Sequence, residues 1–458
     1  MQMSVKSPRN GCALHGALQA VEAIRKAVPI VHSNPGCAIQ NELAARAAGA
    51  GKGWIGDSTI PGTGVQERHI IFGGASRLRE QIKNTVKVID GELYVVLNSC
   101  ASAMVGDDVG AMTKESREQG EPVVDCLTAG FHGDGHYGYS RVMTELLQKV
   151  PQLGMEAPEK NEKSVNLLGI LPGRDVCFRG NLEELKRILE GVGLEVRTFF
   201  GAENGVEELK KAPGTGLNLV FSKWGQEAAE KMEQLYGIPY LTFPSVPVGI
   251  LEVRNMLLAV AERLGIQAEV AESFLQKEEE RFRYYFRPVL EELYEENTRK
   301  SIGLVGDEST VTAAGAFLRE YFGAVIKTAV ITDYFGAGNA AEKRKELPED
   351  FAEDVYFTQD QGEISGILEQ SEIDLLLGSS LEREIAGKKH IPLLELSYPV
   401  YDKAALGRTY AGINGAVRLA EDYLTLIKRE NRKKENELLQ TVRDRTFIYK
   451  VKPSEESF

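Results

Sequence analysis

Residues 93–112 read LYVVLNSCASAMVGDDVGAM, and the break at Ser99-Cys100 decides how the fold is read. LYVVLNS (93–99) is an almost unbroken apolar run. It lacks the alternation of a strand with one wet face, so it suits a parallel strand covered on both sides. Beyond it, small residues and a paired acid open a helical pattern. The unit is strand, tight turn, helix, with a cysteine at the turn.

The same unit recurs outward from this point. Further candidate strands are VPIVHS (28–33), VNLLGIL (165–171), LNLVFS (217–222), PYLTF (239–243), IGLVG (302–306), AVIKTAVIT (324–332), DLLLG (374–378) and PLLELS (392–397). Helical patterns such as EELKRILEGVG (183–193) and GAVRLAEDYLTLIKRE (415–430) separate them. This alternation predicts an α/β protein of doubly wound, Rossmann-like domains with parallel sheets. The polar stretch 151–164 reads as a linker. A charged helical stretch over 266–299 carries Pro288, which is expected to kink or split it. Boundaries are therefore placed at 1–155, 160–300 and 301–430, followed by a charged tail over 431–458.

The chain has 458 residues, enough for two to four domains with cores of their own. Its net charge of −13 argues against a nucleic-acid binder, which needs a basic face to replace phosphate counterions. No apolar run reaches the length of a membrane span, and the first residues lack the apolar stretch of a signal peptide, so a cytoplasmic location is expected. The five cysteines, an odd number, do not suit a disulfide framework.

Three of those cysteines share a setting: Cys12 in NGCALHGAL, Cys37 in HSNPGCAIQ and Cys100 in LNSCASAMV. Each ends an irregular or strand segment, opens a helical pattern and has small neighbours. A helix N-terminus favours a thiolate, and small neighbours such as Gly11 and Gly36 let a bulky inorganic group approach the backbone. Soft thiolates select iron–sulfur clusters, zinc or copper(I). Buried core thiols are the plainer alternative. There is no C-x-x-C pair, and separations of 25 and 63 residues leave both readings open.

The three motifs, in this order, resemble component 1 of the nitrogenase superfamily. DSTIPGTGVQERHIIFGGASRLREQI (57–82), SCASAMVGDDVGAM (99–112), TAGFHGDGHYGYSR (128–141), YGIPYLTFPSVPVGI (236–250) and SYPVYDKAALGRTYAGINGAVRLAED (397–422) extend the resemblance over most of the chain. The resemblance implies that Cys12, Cys37 and Cys100 ligate an iron–sulfur cluster, 8Fe–7S of the P-cluster type or 4Fe–4S, at the interface of two related subunits. It also implies a heterotetramer with an alpha-type subunit, and electrons supplied by a separate dimeric ATPase iron–sulfur reductase. The alpha-type cofactor cysteine is missing: its place reads LNLVFSKWGQ, with Phe221 and Ser222. His390, the third region's histidine, does not match the cofactor histidine's setting. SYPVYDKAALGRTYAGINGA resembles beta-type subunits, whereas QERHIIFGG resembles alpha-type ones. Gly130 stands where some beta-type chains carry a serine ligand. The resemblance thus implies a beta-type, cluster-holding subunit, or alternatively a scaffold for cofactor assembly.

Other features are weighed as structural. Cys126 and Cys177 are expected in the core. His132 and His136 read as loop histidines or neighbours of the cluster. Asp107 and Asp108 read as helix-start residues. RAAGAGKGW (46–54) has Arg46 and Gly53 where a phosphate loop needs Gly and Ser or Thr. GRDVCFRGNLEELKRIL (173–189) lacks a dinucleotide fingerprint.

Overall fold

The computed structural model describes residues 5–40, 60–153, 158–203, 205–333, 344, 347–348 and 350–447. The RAAGAGKGW stretch and residues 448–458 lie outside them. Three sheets follow one another along the chain. The first holds β1 (Ala27–His32), β2 (Leu93–Asn98) and β3 (Val123–Cys126), in that order. The second holds β4 (Asn161–Leu168), β5 (Glu195–Arg197), β6 (Thr215–Val220) and β7 (Tyr240–Thr242), ordered β5-β4-β6-β7. The third holds β8 (Ser301–Gly306), β9 (Val325–Ile331), β10 (Asp354–Phe357), β11 (Leu375–Gly378) and β12 (Leu393–Glu395), ordered β10-β9-β8-β11-β12.

All pairings within these sheets are parallel. The chain is thus α/β with parallel sheets, as the continuous apolar runs imply. β1 and β2 are buried at every residue because helices cover both of their faces. In the second sheet the chain leaves β4 on one side and returns as β6 on the other. The third sheet reverses in the same way between β8 and β11. Such reversals leave a crevice at the C-terminal ends of the strands.

The structure corrects three local readings. β4 begins at Asn161, inside the expected linker. The helix Ala268–Glu295 runs through Pro288 as one element. Its Phe282 and Phe286 are buried and stacked 4.0 Å apart, and this packing offsets the backbone bond that proline cannot make. The helix Gly412–Phe447 carries on through the first part of the expected tail.

Candidate cysteine centre

The site is set by the ends of the first sheet. Cys12 is the N-cap of the helix Ala13–Ala23. Cys37 follows β1 in a helical turn over 35–40. Cys100 follows β2 and opens the helix Cys100–Val105, capped by Ser99. Gly130 follows β3, in a loop fixed by Thr128, whose N donates to Asn98 Oδ1 at 2.6 Å and whose Oγ1 donates to Asn98 O at 3.0 Å.

Cys12 and Cys100 face each other across Gly130. A methyl on Gly130 would stand 3.1 Å from Cys12 Sγ and 3.2 Å from Cys100 Sγ, so the sulfurs are no further apart than the sum of those distances. The Cys37 thiol is pushed up by burial, then by the negative charge that Cys12 and Cys100 would carry, against a Ser33 hydrogen bond that favours its thiolate. Cys37 is therefore close enough to feel both other sulfurs. His15 stands with Nδ1 3.7 Å from Cys12 Sγ. Burial, then the Arg174 charge, lowers the affinity of His15 for a proton. Cys12 and Cys37 are half-buried and Cys100 is exposed. Among the described residues no three His, Cys, Asp or Glu side chains converge closely enough to hold a single metal ion. Of the three thiols, Cys12 and Cys100 face each other across Gly130, and Cys37 lies within electrostatic range of both.

Each expected glycine has its own role. Gly11 has φ +63°, a left-handed conformation that sets Cys12 at the head of its helix. Gly130 keeps the space between two sulfurs clear. A methyl added to Gly36 would meet Asn34 Oδ1 at 3.5 Å, an ordinary contact.

Two supports were not legible in the sequence. One concerns the acid pair. Asp108 caps the helix Val109–Glu118 through Ala111 N, as expected. Asp107 instead bridges strand ends: its carboxylate faces His32 Nε2 at 2.9 Å and accepts from Gly74 N at 2.7 Å. His32 also meets Thr63 Oγ1 at 3.1 Å, so the end of β1, Gly74 and the segment after Cys100 are held as one. The other support is a close helix pair. A methyl on Gly16 would lie 1.7 Å from Gly135 O, and one on Gly138 would lie 1.9 Å from Ala13 O. Only glycine lets the helices Ala13–Ala23 and Gly135–Lys149 meet there.

The remaining candidates fall elsewhere. Cys126 and Cys177 are buried; burial raises both thiols, Cys177 to about 12. His132 is exposed beside Phe131. His136 is buried, with Nδ1 3.3 Å from Asp134 Oδ2, and stacks on Trp224. Phe221 and Ser222 line an interior cavity, while His390 ends the helix Arg383–Lys389 outside that lining. Around the cysteines, Ile39, Ile71, Phe72, Met104, Leu127 and Phe131 are exposed, Phe72 at 86% and Met104 at 81%. Several exposed apolar side chains on the segments that carry the cysteines suit a contact face. Among the described residues no helix is long and apolar enough to cross a membrane.

Comparison with known proteins places the chain among relatives of one kind. The nitrogenase iron-molybdenum cofactor biosynthesis protein NifE of Bradyrhizobium diazoefficiens is 26% identical over 432 residues, covering 92% of this chain and 74% of that protein. The nitrogenase molybdenum-iron protein beta chain of Methanococcus maripaludis is 24% identical, covering 91% of this chain and 93% of that one. A solved structure described as nitrogenase Cp1 at pH 6.5 superposes with a TM-score of 0.79 at 20% identity, over 94% of this chain and 95% of that one, a likeness of fold. A family model described as nitrogenase component 1 type oxidoreductase matches residues 12–428, from the first of the three cysteines into the helix Gly412–Phe447, and to that family this chain belongs.

Proposed function

We propose that this chain is a beta-type subunit of a nitrogenase-like, two-component ATP-dependent reductase, and that Cys12, Cys37 and Cys100 hold an interfacial iron–sulfur cluster. One observation carries the reading: Cys12 and Cys100, from distant parts of the chain, face each other across Gly130, with Cys37 within electrostatic range of both and exposed apolar residues on the same segments. The donor set fits the group. Soft thiolates suit iron–sulfur clusters, and Gly130 puts no side chain between two of the sulfurs. Such a cluster, of the 8Fe–7S P-cluster type or 4Fe–4S, would supply one-electron redox chemistry.

The chain's own residues do the rest. Cys37, raised by burial, must release a proton to become a ligand, so loading is favoured as pH rises. Gly11 and the Asp107–His32 pair hold the ligands in place. The exposed apolar residues would dock an alpha-type subunit in a heterotetramer, and a dimeric ATPase iron–sulfur reductase would deliver electrons to the assembled pair. A reducing cytoplasm suits free thiols of this kind. Ser222 stands where the alpha-type cofactor cysteine would be, so the substrate-reducing cofactor is assigned to the partner.

Similarity to NifE favours a second reading, in which the chain is a scaffold for cofactor assembly and turns over no substrate. Anaerobic reconstitution of the full chain with iron and sulfide tests the ligand set. Cys37→Ala is expected to lose most of the bound iron, and a full iron content in that variant would refute it. ATP-dependent substrate reduction by the complex with its partners then separates relay from scaffold.

A further inference from the structure

The interior cavity noted above is separate from the cysteine centre, and it lies where two sheets reverse. Its lining comes from the residues after β4 (Gly169, Ile170, Leu171, Arg174), after β6 (Ser222, Trp224) and after β8 (Asp307, Thr310), with His136 from the helix that follows the first sheet. Crevices at the C-terminal ends of parallel strands, at such a reversal, are where α/β proteins take ligands. The open space is about 50 Å³, room for about three to five waters at roughly 10–15 Å³ each.

Most of its polar lining is already paired within the protein. Ser222 Oγ donates to Gly169 O, Trp224 Nε1 to Asp333, Tyr410 OH to Asp422, and Ser309 Oγ and Thr310 Oγ1 to Asp307. Two groups stand apart. Arg174 is 3% exposed, and its Nε and Nη1 have no hydrogen-bond partner. The Tyr398 ring lies under the guanidinium at 4.3 Å and the Asp134 charge is nearby, but neither pairs those N–H groups. His136 turns Nδ1 to Asp134, which leaves Nε2 for the cavity. A buried guanidinium with open N–H groups is costly, and an anion bearing oxygen acceptors relieves it.

We propose that this cavity binds a compact anion with oxygen acceptors, of a few non-hydrogen atoms, recognised by Arg174 and His136. The ligand's anionic oxygens take the guanidinium N–H groups, with a small side-chain adjustment to admit them. Its remaining atoms lie against Ile170, Phe221, Val246 and Val248. A short carboxylate and an inorganic oxyanion share this chemistry. The site does not depend on the cysteines, so its test can fail while the cluster reading stands, and the reverse.

The experiment titrates the full chain with sodium acetate and, separately, with sodium sulfate, by calorimetry against chloride at matched ionic strength. One of the two is expected to saturate, with affinity lowered tenfold or more in Arg174→Gln and largely kept in Arg174→Lys. The saturating arm tells carboxylate from oxyanion. If Arg174→Gln fails to fold, wild-type crystals soaked in selenate or bromide-labelled propionate carry the test. An anomalous peak beside Arg174 and His136 supports the site. No saturation by either anion, unchanged affinity in Arg174→Gln, or a cavity without anomalous density overturns it.

Discussion

Gly16→Ala tests whether the close helix pair holds the cysteine centre together. A helical Gly→Ala change normally stabilises by about 0.8–1.0 kcal/mol. Here the new methyl would sit 1.7 Å from Gly135 O and 2.5 Å from Gly135 C. Those are backbone atoms with no rotamer to escape into. Restoring ordinary contact requires the helices Ala13–Ala23 and Gly135–Lys149 to separate by roughly 1.5 Å. Their interface includes Leu14, Ala17, Leu18, Val142, Met143 and Leu146, all buried. Overpacking of this kind costs about 3 kcal/mol, at the upper end of its usual range. The net expectation is destabilisation by about 2 kcal/mol after the propensity gain is subtracted.

Gly138→Ala meets Ala13 O at 1.9 Å and forces the same separation. The double variant should therefore cost little more than the worse single one, because one displacement serves both. Urea unfolding of the apo chain, followed by circular dichroism, measures this. Dibromobimane bridging of Cys12 and Cys100 gives the local readout, and should fall in both variants. A Gly16→Ala chain that unfolds at the wild-type urea concentration or above, or two penalties that simply add, would refute the reasoning.

Three further outcomes are expected. Asp175 is buried and raised to about 6, by burial first and the Asp307 charge second. Its folded value lies above its unfolded one, so it adds stability that fades as pH rises from about 4 to about 6, by up to about 3 kcal/mol; the urea midpoint of Asp175→Asn minus that of wild type should follow this curve. In the native apo chain, iodoacetamide should label exposed Cys100 before Cys37 and leave Cys126 and Cys177 unmodified, as read by peptide mass mapping. Arg9 and Glu382 pair at 2.7 Å with both side chains fully buried, so Glu382→Ala should cost about 3–5 kcal/mol, with partial recovery in Arg9→Met/Glu382→Ala measured by the same unfolding assay.

Much of the fold was legible because buried parallel strands leave continuous apolar runs. The three strands that escaped, β3, β5 and β10, are edge strands of three or four residues, too short to print a pattern. The cysteines stood out by their shared setting, but their convergence could not be read from separations of 25 and 63 residues. Gly130 was noticed only as a departure from a family serine; that it separates two sulfurs is a fact of three dimensions. Asp107 passed for a helix-start residue because its partner, His32, lies 75 residues away on another strand. Gly16 and Gly138 carry no local signal in the sequence, because the neighbouring backbone is what requires them. The opening segment gave no sign that Arg9 docks on the third sheet's loops.

That segment links the cysteine centre to the interior cavity through Asp134. Asp134 accepts from Asn10 Nδ2 at 3.2 Å and from the backbone N–H of His136 and Tyr137 at 3.0 and 3.2 Å. Asn10 in turn donates to Thr332 O at 2.7 Å, and two residues on stands Cys12. Burial alone would raise the Asp134 carboxyl, yet His136, then Arg174, pull it below the ordinary carboxylate value. The carboxylate thus balances the two groups that face the cavity while holding the residue that leads to Cys12. Asp134→Asn keeps the size and removes the charge, which should cost about 3 kcal/mol at pH 7 by leaving the buried Arg174 charge uncompensated. A depressed carboxylate adds stability that is complete above its unfolded value near 4 and is lost as pH falls through the folded one. The gap between wild type and Asp134→Asn should therefore stay constant from pH 7 to pH 5 and close below pH 4. Cys12 should also become more reactive toward iodoacetamide in the variant. A gap that widens on acidification, or unchanged Cys12 labelling, would show that Asp134 caps its helix and nothing more.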